Sequence, residues 1–186
     1  PLVTIKVEWE AEDPNGDQLR YLLEMQPLGE DVPFIPVAED LTETSYEWNT
    51  RAVPDGHYLL RVTASDRLDN LPGRGHAAVR RSDPVVIDNT PPEMRDVEIR
   101  RLDAETAQVD LRALDNMTDI AEVRYSVNGE KAWQAVLPDD MIYDSTEETV
   151  SFTIEGLSPS RHVISVKASD SLGNSRYVSR ALPAAE

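Results

Sequence analysis

The chain has no cysteine among its 186 residues. Disulfide staples, thiolate metal sites and thiol nucleophiles are therefore excluded. It has only three histidines, and none falls in a His-Glu-x-x-His or comparable catalytic string. No Gly-x-Ser-x-Gly elbow is present, and no glycine-rich loop opens a helix to cradle phosphate. No run approaches the roughly 18 apolar residues of a membrane span, and no signal peptide is visible. Positive charge is also scarce. Lys and Arg total 18 against 35 Asp and Glu, a net charge of −17. Such a chain repels phosphate backbones and anionic lipid surfaces, so nucleic acid and membrane insertion are excluded as partners. Both halves share the excess, with 17 acidic against 8 basic residues up to Pro92 and 18 against 10 beyond it. Acidity of this kind fits solubility, cation binding or a basic partner.

What the chain does have is one unit written twice. Tyr58-Leu-Leu-Arg-Val62-Thr-Ala64-Ser-Asp66, with Leu68 and Asn70, returns as His162-Val-Ile-Ser-Val166-Lys-Ala168-Ser-Asp170, with Leu172 and Asn174. The same offset of 104 residues carries Tyr21 onto Tyr125, Trp48 onto Phe152 and Val53 onto Leu157. A period near 100 residues built from short alternating segments means two β-sandwiches rather than a solenoid. A unit of about 90 residues can bury its own core without staples.

The strands follow from a period of two. In the first copy Val3, Ile5, Val7, Trp9 and Ala11 alternate with polar residues, and Leu19, Tyr21, Leu23 and Met25 do so after the turn Asp13–Asp17. Further strands are expected around Phe34–Val37, at Tyr46 and Trp48, from Tyr58 to Ala64, and at Pro84–Ile87. The second copy gives Arg95–Leu102, then Val109, Leu111 and Ala113, then Ala121, Val123, Tyr125 and Val127. Trp133–Val136, Val150–Ile154, His162–Ala168 and Tyr177–Leu182 complete it. No segment has a helical period, so almost no helix is expected. The expected fold is all-β: two tandem immunoglobulin- or fibronectin III-like antiparallel sandwiches, residues 1–89 and 90–186, joined by a short proline-containing linker. Asp88-Asn89-Thr90-Pro91-Pro92 is that linker, and its two prolines restrict the backbone. The strand Arg95–Leu102 has no equivalent ahead of Val3, so the first sandwich is expected to lack its first strand. Because the sequence enters a strand directly after Pro1, it reads as a piece of a longer protein.

Trp9 on the first strand, the tyrosines of the next, and a turn leading into Tyr58-x-Leu60-x-Val62-x-Ala64 resemble fibronectin type III domains over essentially the whole chain. Three features depart from that pattern. The corner segments Val53–Tyr58 and Leu157–His162 are one residue short, Leu111 stands where Trp9 would fall, and His162 stands where the corner tyrosine would be. The string Pro54-Asp-Gly-x-Tyr58…Val62-x-Ala64-x-Asp66…Asn70 resembles bacterial immunoglobulin-like modules, and the Asp13–Asp17 turn resembles bacterial cadherin-like repeats. The resemblance implies a spacer, adhesion or accessory domain in an extracellular, cell-surface or periplasmic setting.

Several residues offer chemistry, each with a plain structural alternative. His162 falls on an inward position, where a hydrogen-bonded core histidine is the simpler reading. Trp9 and Trp48 share parity with core residues and read as packing, whereas Trp133 lies on a short segment and is open to surface recognition. Asp13-Pro-Asn15-Gly-Asp17 opens like a cation loop but lacks the glutamate that completes an EF-hand. In the second copy Asp115, Asn116, Asp119, Asp170 and Asn174 fall in loops expected at one pole, and Asp88 and Asn89 of the linker are expected to reach it too. Asp88, Asn89, Asp115, Asp119 and Asp170 are thus the calcium candidates, calcium being the one cofactor the sequence brings into consideration. Against this, Asp and Asn cluster in turns because they cap backbone groups.

The expected function is a non-catalytic structural or interaction module that spaces or displays neighbouring domains of a secreted or surface bacterial protein. No catalytic or cofactor-binding residue is assigned, and the partners are the neighbouring domains, with protein or glycan binding open. The alternatives are an accessory substrate- or glycan-binding domain of an upstream enzyme or propeller, and a calcium-stiffened adhesion module.

Overall fold

The computed structural model describes residues 4–185. Val3 and Pro1, on which part of the strand and excision readings fell, and Glu186 at the end of the second expected domain, lie outside the described residues. The described chain is all-β, with fourteen strands and no helix. It separates into two compact units that divide between Asn89 and Thr90.

The second unit has seven strands. Strands β8 (Glu93–Arg101), β9 (Ala107–Leu114) and β12 (Glu147–Ile154) form one sheet in the order β12-β9-β8. Strands β10 (Ile120–Val127), β11 (Gln134–Val136), β13 (His162–Asp170) and β14 (Ser175–Leu182) form the other, in the order β11-β10-β13-β14. All pairings are antiparallel. Val109, Leu111 and Val150 of the first sheet meet Val123, Ile164 and Val166 of the second in one sealed core, each at most 2% exposed. This is a seven-stranded sandwich with three strands facing four. On β9 the alternation is complete: every odd residue from Ala107 to Ala113 is buried.

The first unit repeats most of this plan. Strands β1 (Thr4–Glu8) and β4 (Ser45–Asn49) pair as a two-stranded sheet. They face β3 (Ile35–Leu41), β2 (Arg20–Pro27), β5 (Gly56–Ser65) and β6 (Ala77–Arg81), with β7 (Val85–Ile87) also on β5. Leu23, Trp48, Tyr58, Leu60 and Ile87 form its core, with Ile5, Val7 and Val62 packed at its margin.

Four details differ from the alternation read in the sequence. The first strand ends at Glu8 rather than running on to Ala11. β6 was not anticipated, because all five of its residues are exposed and carry no two-residue signal. Ala121 is exposed rather than inward: the register shifts between Ile120 and Glu122, so a bulge makes Ile120 the buried residue. Trp9 lies beyond β1 and is only half-buried, edge-on to Tyr21 with ring centroids 5.3 Å apart.

The corner before β5 and β13 is built the same way twice with different chemistry. Tyr58 Oη donates to the carbonyl of Pro54 at 2.7 Å. At the repeat position, His162 Nε2 lies 3.0 Å from the carbonyl of Ser158. Both reach four residues back to a backbone acceptor. On the other ring face, His162 Nδ1 lies 2.9 Å from Asn128 Nδ2. An amide NH2 only donates, so Nδ1 accepts and the proton sits on Nε2. Asn128 can serve there because it and Gly129 both take positive φ, 53° and 73°, in a two-residue Asn-Gly turn.

Candidate functional site

Three kinds of place gather unusual chemistry, the first of them occurring once in each unit. The first is the acidic pole of the first unit. Carboxylate oxygens of Asp13, Asp17 and Asp66 lie within 4.8 Å of one another. Most of this acidity is tied to the loops themselves. Asp13 Oδ1 accepts from the amides of Asn15 and Asp17 at 2.8 and 3.1 Å. Asp66 Oδ1 accepts from the amide of His76 at 2.6 Å, closing a ten-residue loop onto the end of β5. Asn70 Nδ2 donates to Asp17 Oδ2 at 3.0 Å, and Asp69 Oδ2 accepts from the amide of Gln18 at 2.8 Å. The loop passes so close to Arg67 that a Cβ on Gly75 would sit 2.7 Å from the Arg67 Cα.

The corresponding pole of the second unit is tighter. Asp170, 2% exposed, repeats the role of Asp66: its Oδ1 accepts from the amides of Leu172 and Asn174 at 2.8 and 2.9 Å. Its Oδ2 accepts from Asn174 Nδ2 at 2.8 Å. The repeated aspartate is thus a loop anchor in both copies. Asp115 Oδ1 caps the amides of Met117 and Thr118, each at 2.9 Å. Asp115 Oδ2 is buried and has no hydrogen-bond donor among the described residues. It belongs to a carboxylate that shares a 4.8 Å neighbourhood with Asp170. An ionised oxygen left dry is costly unless something positive or protic meets it. Asp119 has an exposed side chain and takes part through its carbonyl, which accepts from Ser171 N at 2.9 Å.

The linker candidates Asp88 and Asn89 belong to the first unit. The Asn89 amide donates to Asp55 Oδ1 at 2.7 Å, and its Nδ2 donates to the carbonyls of Thr50 and Val53 at 3.1 and 3.0 Å. Its side-chain NH2 is therefore fully engaged. Asp88 is buried and partnered.

The second place is an aromatic pair on the second unit. Trp133 is half-buried and packs edge-to-face on Tyr177, centroids 5.8 Å apart, while Tyr177 is 60% exposed. Such a pair offers a flat apolar face with polar tips, suited to stacking.

The third place is a groove of about 900 Å³ in the first unit. Val7 and Trp9 line one wall; Leu60, Val62, Ala78 and Arg80 line the other. Trp9 Nε1, on the same side chain, is buried without an acceptor among the described residues. Sequence reasoning could not find this groove directly, because it is a space rather than a residue pattern.

Two charged sites, one buried and one half-buried, also escaped the sequence. Glu24, 6% exposed, holds Arg61 in a bidentate pair with both contacts at 2.7 Å, and the Arg61 guanidinium lies 4.0 Å over the Phe34 ring. Glu122 faces both Lys167 and Arg124, at 2.9 and 2.7 Å. Burial pushes its carboxyl up, but these two cations outweigh burial and hold it below the usual 4.5.

No protein-family model matches the chain, and no curated protein matches it. Solved structures do. The chain is similar to the chicken CNTN1 FN1-FN3 domains, at 20% identity and a TM-score of 0.45, over 97% of this chain. It spans 63% of that chain's length. It is also similar to the fibronectin(III)-like modules of Clostridium thermocellum CbhA, at 14% identity and a TM-score of 0.47, covering 98% of this chain and 85% of that one. Within the present molecule, the three-plus-four strand order of the second unit and the repeated corner carry the fold assignment.

Proposed function

We propose that this chain is a non-catalytic tandem module that spaces or displays the neighbouring domains of a larger secreted or cell-surface protein. The observation that carries this reading is the duplication itself. The same scaffold occurs twice, with corners and strand-end aspartates committed to holding their own loops. Side chains used that way serve rigidity, which a spacer needs. Deleting both units from the intact protein tests it. Turnover of small soluble substrates by neighbouring domains should be unchanged, while the reach or surface accessibility of those domains falls. Loss of chemistry on a small soluble substrate would contradict the reading.

A second reading, calcium stiffening, is favoured by one observation: the dry Asp115 Oδ2 in the neighbourhood of Asp170. Carboxylate and carbonyl oxygens are the ligands a hard cation takes. In this reading Asp115 and Asp170 are the principal ligands, with Asp119 as a further candidate. Millimolar Ca²⁺ should then raise the melting temperature of the chain relative to EDTA, and Asp115→Asn should abolish the difference. Identical melts in the two conditions would remove calcium from the account.

A further inference from the structure

The two copies part company in the stretch that leads into β4 and β12. β3 reaches β4 through residues 42–44, whereas β11 reaches β12 through residues 137–146. The longer connection carries large apolar side chains into solvent: Leu137, Met141 and Ile142 are 51%, 67% and 56% exposed. A single exposed apolar residue is ordinary on a protein surface; a cluster of them in one short loop marks an interaction site.

Other groups hold the loop in place. Pro138 is fully buried. The Asp139 amide donates to the Thr149 carbonyl, and Asp139 Oδ1 accepts from the Ser151 amide, both at 2.9 Å. At the far end the Tyr143 hydroxyl bonds to Val136 and Val123. Between these anchors the Met141 amide donates to the Pro138 carbonyl at 2.9 Å, a tight turn that sets Leu137 and Ile142 at its two sides. Met141 sits in that turn at φ 74°. The other non-glycine residues at positive φ among the described residues are Asp40, Asp96 and Asn128, whose short polar side chains suit that region. Methionine has no such local bond to offer, and glycine would stand there at lower cost. A strained backbone that presents an apolar side chain to water points to a use outside the fold.

Asp139, Asp140 and Asp144 are exposed in the same segment. With a net charge of −17 on the whole chain, such a collar repels a second copy and an anionic membrane alike. We propose that the loop 137–142 is a docking tip for a separate protein whose apolar pocket is rimmed by Lys and Arg. The apolar side chains fill the pocket and the aspartates meet its rim. Because the anchors already fix the loop, little ordering entropy is lost on docking. The tip does not depend on the spacer reading.

A synthetic amphipathic helix of leucine and lysine is the probe, added to the isotope-labelled chain and followed by residue-resolved NMR. Its largest shifts should fall on residues 137–142. Met141→Ser combined with Ile142→Ser leaves the charge unchanged and should weaken binding at least ~10-fold. Met141→Gly removes side chain and strain together. It should also weaken binding, while raising the melting temperature of the second unit by about 2–5 °C. No binding, shifts spread over the acidic surface without a maximum in the loop, or unchanged affinity in the double variant would overturn the proposal. So would a lower melting temperature for Met141→Gly. Concentration-dependent shifts of these residues in the chain alone would make a second copy the occupant, and shifts on adding phosphatidylcholine vesicles would make it a lipid surface; either result overturns the proposal.

Discussion

Val62 and Val166 stand at the same place in the two copies of the fold, yet Val166 is fully sealed and Val62 is only half-buried. Their neighbours behave alike: Ala168 is sealed and Ala64 is not. The strands that carry them, β13 and β5, have nearly the same sequence pattern, so the difference does not come from them. It comes from β8, which covers the second core and has no counterpart among the described residues of the first. A strand's own alternation thus decides which residues face inward. How dry they become depends on a partner that can be remote in sequence.

The largest effect that separates the two units should come from truncating this matched pair. Val166→Ala should cost about 2 kcal/mol or more, because it opens a cavity in a closed core. Val62→Ala should cost less than half of that, since its side chain already borders the groove. Denaturant unfolding of the two variants, followed by residue-resolved signals from each unit, checks the ratio.

Next in size is Tyr143, which only the second unit has. Its hydroxyl donates to the carbonyl of Val136 and accepts from the amide of Val123, both at 3.0 Å. Tyr143→Phe leaves that amide unmatched and should cost about 1–3 kcal/mol. Burial, above all, pushes the phenol up to about 12. A raised folded value stabilises the neutral form, so its contribution is complete below pH 10 and disappears as pH rises through about 12. The wild-type second unit should therefore lose stability over that window, and the Tyr143→Phe variant should lose less.

The corner comes third. Tyr58→Phe removes the bond to Pro54 and should cost about 1 kcal/mol. His162→Tyr tests the converse, whether the corner of the second unit accepts the side chain used by the first. It should keep the bond to Ser158 but break the Asn128 contact, for a net loss of similar size.

The smallest effect belongs to Glu122. Its carboxyl is held below the usual value, so its contribution is present above about pH 4.5 and is lost as pH falls through its folded value. Part of the group is exposed, so Glu122→Gln should cost only about 0.5–1 kcal/mol at neutral pH. The difference from wild type should vanish in acid, as thermal melts at pH 7 and pH 3 would show.

Much of this was legible in the sequence, and the exceptions have physical causes. Strands with one wet face, such as β9 and β12, announce themselves by alternation. β6 does not, because Ala77 to Arg81 are exposed on both faces. The bulge at Ala121 was invisible because one inserted residue flips parity without changing composition. Glu24 and Glu122 read as ordinary outward charges, since their partners Arg61 and Lys167 arrive only through strand pairing. Tyr143 lies in an irregular segment, Pro138–Ser145, where no period exists to show it facing inward. For the calcium candidates the sequence placed Asp115 and Asp170 in neighbouring loops. It could not show that Asp170 is consumed by its own loop while one oxygen of Asp115 is left dry.

The central claim is that, among the described residues, the first core is open along β1 where the second is closed along β9. Residue-resolved hydrogen exchange on the unmodified chain tests this most directly, comparing the amides of Ile5 and Val7 with those of Val109 and Leu111. The account predicts that the β1 amides exchange through local opening, at least ~100-fold faster than those of β9, which should exchange only on unfolding of their unit. Equal protection of the two strands would contradict it.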